Sequence, residues 1–81
     1  MVKVSLSGVM KKATGGCEEV EIEAKDIRQL LANLEAEYPA LTPHIEQGIA
    51  VSINGQIFRD SLFKELPEDA EIFLIPRLSG G

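Results

Sequence analysis

The chain has a single cysteine, Cys17, among its 81 residues. One thiol cannot close an internal disulfide, so the expectation is a protein of a reducing compartment, the cytoplasm. Bases are also short: eight Lys and Arg face thirteen Asp and Glu, for a formal net charge of -5. With no basic stripe to displace counterions from phosphates, a nucleic-acid partner is not expected. The acidic balance favours docking on a basic protein surface instead. No apolar run approaches the roughly 18 residues that would span a membrane. The start, Met1-Val2-Lys3-Val4, alternates like a strand and lacks the plan of a secretory leader. There is no repeat, linker or low-complexity segment. Gly15-Gly16 lacks the pattern of a phosphate-cradling loop between a strand and a helix. No metal-ligand cluster and no nucleophile–histidine pair is visible, so no catalytic residue is assigned to the chain.

What is present is the mix of a globular domain, 44% apolar and 26% charged residues. The length allows one domain with one modest core. Val2, Val4 and Leu6 alternate with Lys3, Ser5 and Ser7, a strand with one apolar face. Residues 8–16 read as a connector. Val20 and Ile22 alternate with glutamates, a second strand forming a hairpin with the first. Asp26 opens a helix, with Gln29 three residues on as in a capping box. Ile27, Leu30, Leu31 and Leu34 share one face, Tyr38 extends it, and Pro39 stops the helix. Residues 41–48 read as a loop. Ile49, Val51 and Ile53 mark a third strand, Asn54-Gly55 a type I′ turn, and Gln56-Ile57-Phe58 a short fourth strand. Residues 60–65 suggest a helical turn, with Leu62, Phe63 and Leu66 giving apolar contacts. A turn at residues 67–70 leads into a last, continuously apolar strand to Ile75, suited to a central position.

This order predicts an α+β fold, one mixed sheet of about five strands packed on one main helix. If Ile72 and Leu74 face that helix, Phe73 and Ile75 face outward, sharing the outer face with Ser5 and Ser7. The division expected is a domain over residues 1–76 and a tail over 77–81. That tail, Arg77-Leu78-Ser79-Gly80-Gly81, follows Pro76 and reaches about 17 Å when extended. Glycines without Cβ atoms suit a narrow channel, so the tail can carry its terminal carboxylate into another protein's active site. A frayed end is the other reading of the same residues.

The strand order, the Asn-Gly turn and the segment Leu66-Pro67-Glu68-Asp69-Ala70-Glu71-Ile72-Phe73-Leu74-Ile75-Pro76, followed by Leu78-Ser79-Gly80-Gly81, resemble the MoaD/ThiS family of sulfur carriers. Val2-Lys3-Val4 and Gly15 are similar to the opening of the molybdopterin-synthase small subunit. Pro67 and Ala70 stand where the family often has glycine, and Arg77 where that subunit often has a second proline. The resemblance implies a ubiquitin-like β-grasp fold and a non-catalytic role. A ubiquitin-activating-type adenylating enzyme, which binds the ATP and Mg, would adenylate Gly81, and a sulfur donor would convert it to a thiocarboxylate. The carrier itself holds no cofactor. The leading recipient is the molybdopterin synthase large subunit. Thiamine synthesis, another thiocarboxylate pathway, or a modifier forming isopeptide bonds through Gly81 are the alternatives, and an inert-tail binding module is a third class.

Phe73, Ile75 and Ser7 are the candidate docking residues. For Phe73, cover by a neighbouring loop is the competing reading. Arg77 either engages a partner carboxylate, or steers the tail, or only aids solubility. Cys17 and His44 read as bystanders. The acids Glu18, Glu19, Glu21 and Glu23 read as a solvated strand edge.

Overall fold

In the computed structural model the description covers residues 1–6, 8–59 and 61–76, with the backbone alone for Val9 and Pro76. Ser7 and the tail from Arg77 to Gly81 lie outside these residues, and so does the expected boundary between domain and tail. The elements are β1 (Val2–Ser5), α1 (Val9–Ala13), β2 (Glu19–Ile22), α2 (Ile27–Glu37), a 3₁₀ turn (Pro39–Leu41), α3 (Thr42–Glu46), β3 (Ile49–Ile53), β4 (Gln56–Phe58) and β5 (Glu71–Pro76). The five strands form one mixed sheet in the order β2-β1-β5-β3-β4. β5 runs parallel to β1 and antiparallel to β3, which makes it central, as its apolar run anticipates.

One face of the sheet carries the core. Val2 and Val4 of β1, Val20 and Ile22 of β2, Val51 and Ile53 of β3, and Ile72 and Leu74 of β5 are buried against Ile27, Leu30 and Leu34 of α2. Leu31 and Tyr38 sit at the margin of this stripe, half-buried. The start of α2 is capped as its sequence requires. Asp26 accepts a hydrogen bond from the Gln29 backbone N–H at 2.8 Å. The Gln29 side chain returns the favour one residue earlier than a standard box, accepting from the Lys25 N–H at 3.0 Å. Replacing Asp26→Ala is expected to cost about 1 kcal/mol. For a domain this small, that lowers the melting temperature by about 4–8 °C, measurable by circular dichroism.

The Asn54-Gly55 turn has positive φ at both positions, 48° and 92°, the geometry a type I′ turn demands. Asn54 is tied down twice to the first residue of β5. Its N–H donates to the Glu71 carbonyl and its side-chain oxygen accepts from the Glu71 N–H, each at 2.9 Å. Asn54→Ala keeps the strain of a positive φ and leaves the Glu71 N–H without its partner. The expected loss is about 1–2 kcal/mol by chemical denaturation, with an unchanged m-value.

Three connections differ from the sequence expectation. The segment 8–16 contains helix α1, whose Met10 is fully buried in the core. Gly15 and Gly16 terminate it as a Schellman motif: the Gly16 N–H donates to Lys11 O at 2.9 Å and the Gly15 N–H to Lys12 O at 3.1 Å. The segment 41–48 is mostly helical as well. Pro39 and Pro43 each start a new helical segment, because a first-turn position needs no N–H donor. Leu41 is buried there. Residues 61–65 form a turn, not a helix, and Leu62 and Phe63 face solvent; only Leu66 reaches the core.

Candidate functional site

The helices and core occupy one side of the sheet, and strand alternation sends the remaining side chains to the other. That outer face carries Lys3 and Ser5 from β1, Glu71, Phe73 and Ile75 from β5, Ala50 and Ser52 from β3, and Ile57 from β4. Glu19 and Glu21 of β2 complete it beyond β1. Register makes the arrangement specific. Phe73 lies directly opposite Ser5 on one side and Ser52 on the other. Ser52 in turn faces Ile57, and Ala50 faces Ile75.

Two large apolar side chains therefore flank a small one. Phe73 is 49% exposed and Ile57 56% exposed, whereas Ser52 between them is only 7% exposed. Ile75 is half-buried beside Ala50. The outcome is an apolar patch with a recessed floor across the central and β4 side of the sheet. The β2 side is acidic: Glu19, Glu21 and Glu71 surround the single base Lys3.

The sequence expectation put Phe73 and Ile75 on this face, and the structure brings them together there with Ser5. Ser7 lies outside the described residues. Ile57 was missed, although the signal was available. The strand Gln56-Ile57-Phe58 has two apolar residues in succession, so one of them must face away from the core. Phe58 takes the inner side, half-buried against the core, and Ile57 the outer.

The end of the sheet at which β5 finishes follows from topology. β1 and β5 are parallel, so the C-terminal end of β5 lies alongside the end of β1. Ile49, the first residue of β3, pairs with Pro76. A shallow pocket beside this end is lined by Ser5, Leu6, Gly8, Lys11, Glu18 and Glu19. Within it the Lys11 ammonium donates to Glu18 at 2.8 Å. That bond and the Lys11 charge hold the Glu18 carboxyl below the ordinary glutamate value. The pair is solvated and contributes little to stability.

Among the described residues no three His, Cys, Asp or Glu side chains are grouped to hold a metal ion. Cys17 is exposed, and no helix of the described residues is long and apolar enough to cross a membrane.

Comparison with known proteins bears on what such a face and tail serve. The model of the ThiS family matches residues 4–81. Small archaeal modifier protein 1 from Methanosarcina acetivorans is 29% identical over 99% of this chain and 95% of its own, with a TM-score of 0.85. A chain of the complex of subunits 1 and 2 of molybdopterin-converting factor from Helicobacter pylori is 28% identical, over 99% of this chain and 97% of its own, with a TM-score of 0.70. A chain of the BexX/CysO complex from Amycolatopsis orientalis shares the fold at 20% identity, covering all of both chains with a TM-score of 0.81. No curated protein matches.

Proposed function

The chain belongs to the ThiS family, in the ubiquitin-like β-grasp fold of the MoaD/ThiS sulfur carriers, and on that premise we propose that Gly81 carries sulfur as a thiocarboxylate for cofactor biosynthesis. The observation that carries this reading is the extent of the family match, which runs through the Gly80-Gly81 end itself. A carboxylate is a poor electrophile because it has no leaving group. Attack of the Gly81 carboxylate on the α-phosphate of ATP releases pyrophosphate and makes a mixed anhydride. A sulfur nucleophile then displaces AMP. The adenylating enzyme supplies the ATP and Mg site and stabilises the phosphate charge. This chain need only deliver a slim terminus to that site.

The outer-face patch of Phe73, Ile57 and Ile75 is the docking surface for that enzyme and for the recipient of the sulfur. Its apolar part supplies contact area, and the acids Glu19, Glu21 and Glu71 select a basic rim on the partner. For the recipient we infer the large subunit of a molybdopterin synthase, with this chain as the small subunit. The 28% identity to a chain of the molybdopterin-converting-factor complex supports that choice. A second reading, a modifier joined to lysines through Gly81, is supported by the 29% identity to a small archaeal modifier protein.

Intact mass of the protein purified from its own host without thiols separates these readings. Exchange of oxygen for sulfur adds about 16 Da, which oxidation at Met1, Met10 or Cys17 imitates, so the shift must be localised to the C-terminal peptide, and that peptide must gain the further mass of one alkyl group when treated with a thiol-directed alkylating agent. A labelled Gly81 terminus is expected. An unmodified terminus together with conjugates on other proteins' lysines selects the modifier, and an unmodified terminus without conjugates overturns both.

A further inference from the structure

Folding alone does not explain the residues on the outer side of β3. Val51 and Ile53 face inward and are the branched, apolar types that favour strands. Their outward neighbours Ala50 and Ser52 are small, although β3 lies between β5 and β4 and is paired along both edges. A valine or threonine at either place would suit such a strand better. The small residues leave a slot. Ala50 is 6% and Ser52 7% exposed, while Phe73 and Ile57, directly opposite Ser52 on its two sides, are half-exposed.

Ser52 also sets a polar group at the bottom of that slot. Its hydroxyl makes no hydrogen bond to any described residue. A hydroxyl held between apolar walls is costly unless a partner can reach it. Access is open here. No side-chain nitrogen or oxygen of the described residues is sealed from solvent without a partner, so the Ser52 oxygen faces outward through the slot.

Width and chemistry together select an occupant. Neighbouring strands lie about 4.8 Å apart, which sets the Phe73 and Ile57 backbones roughly 10 Å apart with Ser52 midway. One ring above Ser52 then has its centre about 5 Å from either wall, inside the range of about 4.5–7 Å at which aromatic side chains pack. Two side chains do not fit. A leucine or phenylalanine fills the width but caps the hydroxyl without bonding it. A lysine or arginine brings more N–H donors than one oxygen accepts. Tyrosine has an apolar body and one O–H at its tip, which can donate to the Ser52 oxygen or accept from its hydroxyl.

We propose that Ser52 is the specificity-determining residue in docking of the adenylating enzyme, one tyrosine of which enters between Phe73 and Ile57 and hydrogen-bonds the Ser52 hydroxyl. The inference rests on the docking of that enzyme to the outer face, set out above. It adds what selects the enzyme. Phe73, Ile57 and Ile75 supply area that many apolar surfaces could cover, whereas a hydroxyl at the floor rejects a partner with nothing to bond it.

The test follows ATP–pyrophosphate exchange by the adenylating enzyme as the concentration of full-length carrier is varied. Ser52→Leu fills the slot and is expected to raise KM at least about a hundredfold. Ser52→Ala keeps the slot, removes the hydroxyl and is expected to raise KM about tenfold. Both leave kcat unchanged, the mark of a contact made equally before and during reaction. Ser61→Leu, the same exchange in the turn on the helix side of the sheet, stays within about twofold. Melting curves verify that each variant folds. A second readout sees the partner residue itself. Enzyme labelled with fluorotyrosine is expected to show one fluorine resonance that moves on binding the carrier and moves differently with Ser52→Ala. If Ser52→Leu keeps its KM within about twofold while Phe73→Glu loses affinity, the face docks the enzyme without reading the slot, and this proposal alone falls. A loss with Ser52→Leu but none with Ser52→Ala, or no responding fluorine resonance, overturns the tyrosine and its bond. If the unaltered carrier supports no exchange, the reading of Gly81 as the adenylated terminus fails and this inference fails with it.

Discussion

A chain lacking Gly81 is expected to fold as the full chain does and to form no detectable thiocarboxylate. Every strand pairing among the described residues lies within residues 2–76, so the truncation removes none of them. What changes is reach. One residue fewer draws the terminal carboxylate back by about 3.5 Å. Reacting atoms must come within about 3–3.5 Å in alignment, and a misplacement of 1 Å already costs about a hundredfold. A terminus held back by more than three times that distance drops below detection, even though Gly80 offers a carboxylate of identical chemistry. Adding one glycine after Gly81 has the same expected result for the opposite geometric reason. The assay is ATP–pyrophosphate exchange with the adenylating enzyme, read beside a melting curve. Exchange at the full-length rate by the truncated chain would show that the carboxylate's position is not what the enzyme reads. If the full-length chain itself supports no exchange while the truncated chain keeps its protein contacts, the tail is inert and the domain is a binding module.

The fold was legible in the sequence wherever one local signal had one physical meaning. Period-two alternation in Val2–Leu6 and Glu19–Ile22 fixed which side chains go inward. Asp26 with Gln29 marked the start of α2, and Asn54-Gly55 marked the hairpin because few other pairs tolerate two positive φ values. Legibility failed where a residue has two opposite uses. Proline ends α2 at Pro39, yet the same residue type opens the next helical segments at Pro39 and Pro43. Reading proline only as a breaker turned residues 41–48 into a loop. Gly15-Gly16 was weighed as a phosphate loop and set aside, while its role as a helix terminator after Lys11-Lys12 went unread. The cost was Met10, buried in the core from a helix of only five residues, too short for periodicity to announce.

The candidate site shows the same division. The continuous apolar run of β5 has two causes that sequence cannot separate. Ile72 and Leu74 are apolar because they meet α2, and Phe73 is apolar while half-exposed on a face with no helix. Central strands buried on both faces carry the same signature. Only the register, which sets Phe73 between Ser5 and Ser52, separates packing from presentation. Leu62 and Phe63 were misread for a related reason, since apolarity alone was taken as a sign of core contact.

Phe73→Glu is expected to weaken engagement of the adenylating enzyme by about a hundredfold or more and to leave the fold nearly unchanged. Both halves follow from where the ring stands. Its cross-strand neighbours are serines, and half its surface already meets water, so its replacement opens no cavity. Glutamate is a weaker strand former, which limits the expected loss to about 1 kcal/mol. In a complex the same change acts three times. It removes an apolar anchor of the kind whose truncation typically costs 2 kcal/mol or more. It adds a desolvated charge at the contact. It also extends an acidic row, Glu19, Glu21 and Glu71, that Lys3 alone relieves. Since about 1.4 kcal/mol is tenfold in affinity, a combined loss near 3 kcal/mol reaches the stated factor. Ile57→Glu is expected to act in the same direction on the same face. Phe63→Glu, across the sheet, should leave the adenylating enzyme's affinity within about twofold. Affinity measured by calorimetry for all three variants locates the docking face. Full affinity in Phe73→Glu with loss in Phe63→Glu would move that face to the helix side and overturn the assignment made from the outer strands.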